Sequence, residues 1–173
     1  MIENSVDQVK TKNGDPNNLK SDFFDSQELR PSCLDSYVGQ LSVTKQVKIM
    51  IGASKIKTRA LDHILLHGPP GLGKTSLASV IASESGSKMV ITSGQALTKV
   101  GDLAAVLSNL HPLDILFVDE IHRLKMDIQE MLYTAMEDFK IDIVLGKGPS
   151  ARTMRLELAN FTLIGATTKL NKI

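Results

Sequence analysis

The stretch LDHILLHGPPGLGKTSLASVIA, Leu61 to Ala82, decides the fold. A strand-like apolar run, Ile64 to His67, enters a glycine-rich turn, and a helical stretch, Lys74 to Ser85, leaves it. Gly68, Gly73, Lys74 and Thr75 fill the pattern G-x-x-x-x-G-K-[ST] between the two. The glycines let backbone N–H groups close around phosphate oxygens, and the helix N-terminus adds its positive end. In that geometry Lys74 reaches the β- and γ-phosphates of a nucleoside triphosphate. The Thr75 hydroxyl ligates Mg²⁺, and Ser76 hydrogen-bonds on the α-phosphate side. A strand-to-helix turn that binds nothing is the bland alternative, and it leaves both correctly placed flanks unexplained.

Working outward, apolar runs at Met89 to Thr92, Ile115 to Val118 and Phe161 to Gly165 read as further strands. Helical stretches at Asp102 to Leu110 and Ile128 to Phe139 lie between them. That alternation predicts an α/β domain with a parallel sheet flanked by helices. Upstream, Val43, Val47, Met50 and Ile51 recur at helical spacing within Leu41 to Arg59, predicting one amphipathic helix. Residues 1–27 are polar, rich in Asn, Asp, Lys and Ser, and offer few apolar groups to offset ordering entropy. They read as a flexible N-terminal arm, which leaves 28–173 as the folded domain.

Composition excludes several classes. With 173 residues and 42% hydrophobic content, the chain buries one good core. Lys+Arg 20 against Asp+Glu 19 leaves a formal charge of +1, so no overall field draws the molecule to nucleic acid or a membrane. Any DNA contact is local. A single cysteine, Cys33, rules out an internal disulfide and a cysteine-built zinc site. No apolar run approaches the roughly 18 residues of a membrane span, and the first residues lack a signal peptide's apolar core. A cytoplasmic location is the default expectation.

The second candidate site is DILFVDEIHRL, Asp114 to Leu124. Adjacent carboxylates at the C-terminal end of a buried strand are costly unless a cation or water network meets them. Asp119 suits a hold on Mg²⁺, and Glu120 suits a base that polarises an attacking water. The competing reading makes both of them helix caps. His122 and Arg123 are equally well read as helix-surface residues. A third candidate is FTLIGATTK, Phe161 to Lys169, where Thr167 and Thr168 end a strand in hydroxyls placed to orient water between the P-loop and Asp119. Ordinary β-propensity accounts for them as well.

Residues 141–158 read as a β-hairpin. Ile141, Ile143 and Leu145 alternate on one arm, Met154, Leu156 and Leu158 on the other, and Gly146-Lys147-Gly148-Pro149-Ser150 supplies the turn. Lys147, Arg152 and Arg155 form a small basic cluster, a weak pointer to DNA phosphates.

In order, LRPSCLDSYVGQ, LDHILLHGPPGLGKTSLA, ILFVDEIHRL, LYTAMEDFKIDIVLGKGPSAR and FTLIGATT resemble the N-terminal ATPase domain of the RuvB family. These are AAA+ motors that drive Holliday-junction branch migration in DNA recombination and repair. The resemblance covers Leu29 to Thr168, and MEDFKIDIVLGKGPSAR, Met136 to Arg152, singles out this family among P-loop ATPases. It implies a P-loop AAA+ fold with an inserted hairpin, ATP or ADP with Mg²⁺ as ligands, a homo-hexamer, and a RuvA-like junction-binding partner docked on hairpin 141–158. It implies that Leu29 and Arg30 border the adenine, that Gly71, Lys74, Thr75 and Ser76 surround the phosphates, and that Glu137, Asp138 and Phe139 also lie near nucleotide. Thr168 takes the sensor position. Where the family reads Ala-Thr-Thr-Arg, this chain has Lys169, which keeps the charge of the finger offered to a neighbour's nucleotide but loses its planar fork. The family's helical lid and DNA-gripping winged helix do not precede Ile173. Hence the expectation of one part of a motor, either hydrolysing ATP when complete or binding nucleotide without turnover.

Overall fold

The computed structural model describes residues 31, 33–37, 40–146 and 151–169. The expected arm 1–27, Leu29, Arg30 and the turn residues 147–150 lie outside them. Four parallel strands form the main sheet: β1 (Ile64–His67), β2 (Met89–Ser93), β3 (Ile115–Asp119) and β6 (Thr162–Thr167), in the order β1-β6-β3-β2. Four helices alternate with them: α1 (Leu41–Lys57), α2 (Lys74–Ser85), α3 (Val100–Ser108) and α4 (Met126–Asp138). Among the described residues no helix is long and apolar enough to cross a membrane.

The two central strands are apolar along their length because both faces are covered. Ile115 and Phe117 of β3 and Ile164 and Ala166 of β6 pack with Val47 and Ile51 of α1 and Leu77, Val80 and Ile81 of α2. Leu116 and Val118 of β3 and Leu163 of β6 point the other way, against Leu103 and Leu107 of α3 and Ile128 and Leu132 of α4. Continuous rather than alternating hydrophobicity is what a doubly covered parallel strand requires. Branched aliphatic residues at i, i+4 spacing (Val47/Ile51, Leu77/Ile81, Leu103/Leu107, Ile128/Leu132) then give each helix its inner stripe.

Strand and helix limits depart from the sequence expectation by one or two residues, for local reasons. β6 runs on to Thr167 because its pairing with β1 continues through Leu66↔Ala166 and His67↔Thr167. α3 begins at Val100 rather than Asp102, because the Asp102 carboxylate accepts from Thr98 N, Thr98 Oγ1 and Lys99 N, each at 3.0 Å. An acidic residue at the third helical position thereby satisfies donors that the helix itself leaves free. α2 stops at Gly86, whose φ of 72° ends the helix in the left-handed region.

The hairpin is present as β4 (Lys140–Leu145) paired antiparallel with β5 (Arg152–Glu157), in a two-stranded sheet of its own. Ile141↔Leu156 and Ile143↔Met154 are register partners, so the alternating apolar residues share one face as expected. Ile141 is buried against the α3/α4 side of the core, with Ile143 and Leu156 partly buried beside it. Across the other face, Arg155 donates Nε and a terminal nitrogen to the two Asp142 oxygens at 2.8 and 2.9 Å. That pairing ties Arg155 of the expected basic cluster to Asp142 on the same face; Lys147 lies outside the described residues.

Candidate functional site

At the C-terminal edge of the sheet, the chain leaves β1 at Gly68, whose N–H donates to the Thr167 carbonyl at 3.2 Å. The loop is thereby pinned to the end of β6. Gly71 and Gly73 have φ of 78° and 73°, where a Cβ is penalised, and α2 starts directly from Gly73. Lys74 Nζ donates to the Gly68 and Pro69 carbonyls at 2.9 and 2.8 Å. The ammonium therefore lies over the loop, where the first-turn N–H groups of α2 also converge.

The facing wall comes from β3. Lys74, Thr75 and Ser76 share one cleft with Asp119 and Glu120, together with Gly71 and Gly73 of the loop. Asp119 closes the strand and its Oδ1 accepts the Glu120 N–H at 2.9 Å. Glu120 adopts φ 49°, ψ 45°, a left-handed conformation that costs a non-glycine residue of order 1–3 kcal/mol. Gly94, just past β2, locks this turn: its N–H donates to the Asp119 carbonyl at 2.8 Å, and a Cβ there would sit 2.5 Å from the Glu120 carbonyl oxygen. Neither carboxylate caps α4, which begins only at Met126, and Glu120 makes no side-chain cap to the short 3-10 turn Ile121–Arg123. The helix-cap reading of the pair is thereby set aside. A hydroxyl and a carboxylate across one cleft form an all-oxygen donor set, which fits a hard cation that also takes phosphate oxygens and water.

Other expected site residues stand elsewhere. Gly68 contributes its carbonyl to Lys74 rather than a wall of the cleft. Thr167 is fully buried and its hydroxyl is 3.0 Å from His122 Nδ1, so it does not face Asp119 as expected. Thr168 is half-buried one residue beyond β6 and lies outside the cleft walls; Lys169 is exposed, its N–H on Thr167 Oγ1 at 3.0 Å. Glu137, Asp138 and Phe139 do not join the P-loop within this chain. They end α4 beside the start of β1, where His63 Nε2 meets the Met136 carbonyl at 3.3 Å and Phe139 packs edge-on to Phe161. β1 separates that end of the sheet from the loop. His122 corrects another expectation: its side chain is 5% exposed, not on a helix surface. Sequence reading missed Gly94 and this inward histidine. Nothing in the periodicity marks either, because a 3-10 turn after a left-handed residue presents its side chains out of helical phase.

The geometry agrees with what comparison with known proteins finds. The family described as the Holliday junction DNA helicase RuvB P-loop domain matches residues 29–173. The Holliday junction branch migration complex subunit RuvB of Kosmotoga olearia is 58% identical over 144 residues, covering 83% of this chain and 42% of the relative. The Chloroflexus aggregans subunit is 55% identical over 156 residues, covering 88% and 45%. The solved Thermotoga maritima RuvB Holliday junction branch migration motor superposes with a TM-score of 0.71 at 44% identity, over 84% of this chain and 44% of that one. The chain thus spans less than half the length of the relatives it matches. A P-loop on β1, an Asp-Glu pair ending β3, a hairpin after α4 and a family match over most of the sequence agree: this chain belongs to the RuvB P-loop domain family.

Proposed function

We propose that this chain is the nucleotide-binding and ATP-hydrolysing part of a RuvB-type motor that drives Holliday-junction branch migration. The carrying observation is the single cleft shared by Lys74, Thr75 and Ser76 with Asp119 and Glu120. Loop N–H groups and Lys74 hold the β- and γ-phosphates of ATP or ADP, with Ser76 on the α-phosphate side. Thr75 and Asp119 hold Mg²⁺ directly or through water, which neutralises charge building on the transferred phosphoryl group. Glu120 polarises the attacking water, and Thr168, just beyond β6 and outside the cleft walls, serves as the γ-phosphate sensor. Glu137, Asp138 and Phe139, far from their own P-loop, serve the nucleotide of a neighbouring copy in a homo-hexamer; that separation within the chain supports the reading. Hairpin 141–158 is the docking site for a RuvA-like junction-binding protein, and the cytoplasm, where such motors meet DNA, is the compartment.

A second reading, nucleotide binding with little turnover, is favoured by Lys169. By the family resemblance this is the finger position, and an arginine finger is worth about 10³–10⁵ in rate. Calorimetry and a phosphate-release assay test both readings. Lys74→Ala should weaken Mg-ADP binding about 10- to 150-fold, the equivalent of a charge-assisted hydrogen bond of roughly 1.5–3 kcal/mol. Equal heats for the two proteins would remove the P-loop from the account. Glu120→Gln should leave binding intact and lower any turnover by about 10²–10⁴. A rise of several hundredfold or more in Lys169→Arg favours the second reading for the wild-type chain; no rise favours the first.

A further inference from the structure

His122 is buried behind Glu120 of the cleft wall, and both of its ring nitrogens are engaged. Nε2 lies 3.2 Å from Glu120 Oε2 and Nδ1 lies 3.0 Å from Thr167 Oγ1. A carboxylate only accepts, so Nε2 carries a proton toward Glu120, and Nδ1 shares a hydrogen bond with the Thr167 hydroxyl. Thr167 Oγ1 in turn accepts the Lys169 N–H at 3.0 Å and lies 3.2 Å from the Lys169 carbonyl, a second acceptor for its hydroxyl proton. A connected series of hydrogen bonds thus links the Lys169 backbone, through Thr167 and His122, to the Glu120 carboxylate. The Thr167 carbonyl meanwhile holds the Gly68 N–H at the root of the P-loop. A single residue at the end of β6 therefore touches the phosphate loop by its backbone and the ring by its side chain.

Among the described residues Glu120 has no other side-chain donor of comparable reach: Arg123 Nε is 3.7 Å away and 53% exposed. The left-handed backbone of Glu120 is held by Gly94 and Asp119, which leaves its side chain as the part free to change rotamer. We propose that His122 is a positioning residue that parks the Glu120 carboxylate while the end of β6 is at rest. It hands Glu120 to the attacking water when Thr168 and Lys169 move onto a bound triphosphate. The proposal rests on the hydrolytic reading given above and adds its regulation: the base is armed by the γ-phosphate, through Thr167, and not by nucleotide binding as such. No covalent change is involved. Only hydrogen-bond partners exchange, and the proton on Nε2 stays where it is.

The test is nuclear magnetic resonance on protein labelled at its histidines, with the P-loop amides of Gly73 to Ser76 followed in the same sample. The His122 signals are identified by their loss in His122→Gln and, independently, by through-space contact with Thr167. Mg-ADP should move the P-loop amides and leave the His122 ring in its Nε2–H form with little change. A non-hydrolysable Mg-ATP analogue should shift Nε2 as Glu120 departs. Thr167→Val should abolish the difference between the two nucleotides, and Thr167→Ser should retain it. Identical ring signals with diphosphate and triphosphate, while the P-loop amides respond, would overturn the relay and leave the nucleotide site standing. P-loop amides indifferent to both nucleotides would overturn the hydrolytic reading, and the relay with it.

Discussion

Substituting Gly94 by alanine tests whether the Asp119–Glu120 turn is held by backbone proximity. The added Cβ would lie 2.5 Å from the Glu120 carbonyl oxygen, about 0.9 Å short of the 3.4 Å where ordinary contact begins, and 3.3 Å from Arg123 Cβ. The nearest atom is backbone, so it cannot swing aside as a side-chain tip can. Either β2 retreats or the left-handed Glu120 does. Overpacking of this kind typically costs 1–3 kcal/mol. For a domain of about this size that is a fall of roughly 3–9 °C in melting temperature. Gly101 is the control, since a Cβ there meets nothing within 4 Å and the residue lies in α3. Gly101→Ala should stabilise by roughly 0.5–1 kcal/mol through helix propensity. Thermal unfolding by circular dichroism, read beside Mg-ADP calorimetry, separates the outcomes: Gly94→Ala melts earlier yet still binds, because the P-loop is untouched. Gly94→Ala melting at or above wild type would refute the reasoning and show that the β2 end gives way freely.

Other expectations follow from the core and the hairpin. Leu103→Ala, at a fully buried position in α3, should cost about 2–5 kcal/mol in a denaturant melt, whereas Leu41→Ala, 85% exposed at the start of α1, should stay within about 0.5 kcal/mol of wild type. On the hairpin, the two hydrogen bonds from Arg155 hold the Asp142 carboxyl below its ordinary value. A depressed carboxyl contributes stability above its unfolded pKa of about 3.9, and that contribution is lost as pH falls through the lower folded value. Hydrogen exchange of the β4 and β5 amides should therefore quicken below about pH 4 in wild type and show no such step in Asp142→Asn.

The sequence alone determined which residues form the sheet, the loop and the hairpin, because each carries its signal within a few neighbours. Ile64–His67 and Lys74–Ser85 are found with the expected limits, since a Gly-Lys-Thr turn and a terminal Gly86 are local punctuation. The apolar runs at Ile115 and Phe161 announce doubly covered strands because their hydrophobicity is continuous. What the sequence leaves open is everything that depends on the order β1-β6-β3-β2. Inserting β6 between β1 and β3 joins Thr167 to Gly68 and brings it within reach of His122, residues 99 and 45 positions away with no periodicity between them. The same packing sends Glu137, Asp138 and Phe139 to the end of the sheet opposite the P-loop and turns His122 inward from an apparent helix surface. Side-chain direction after a left-handed Glu120 is fixed by what packs against it, Gly94 from one strand and Thr167 from another, and contacts of that range are properties of the folded chain.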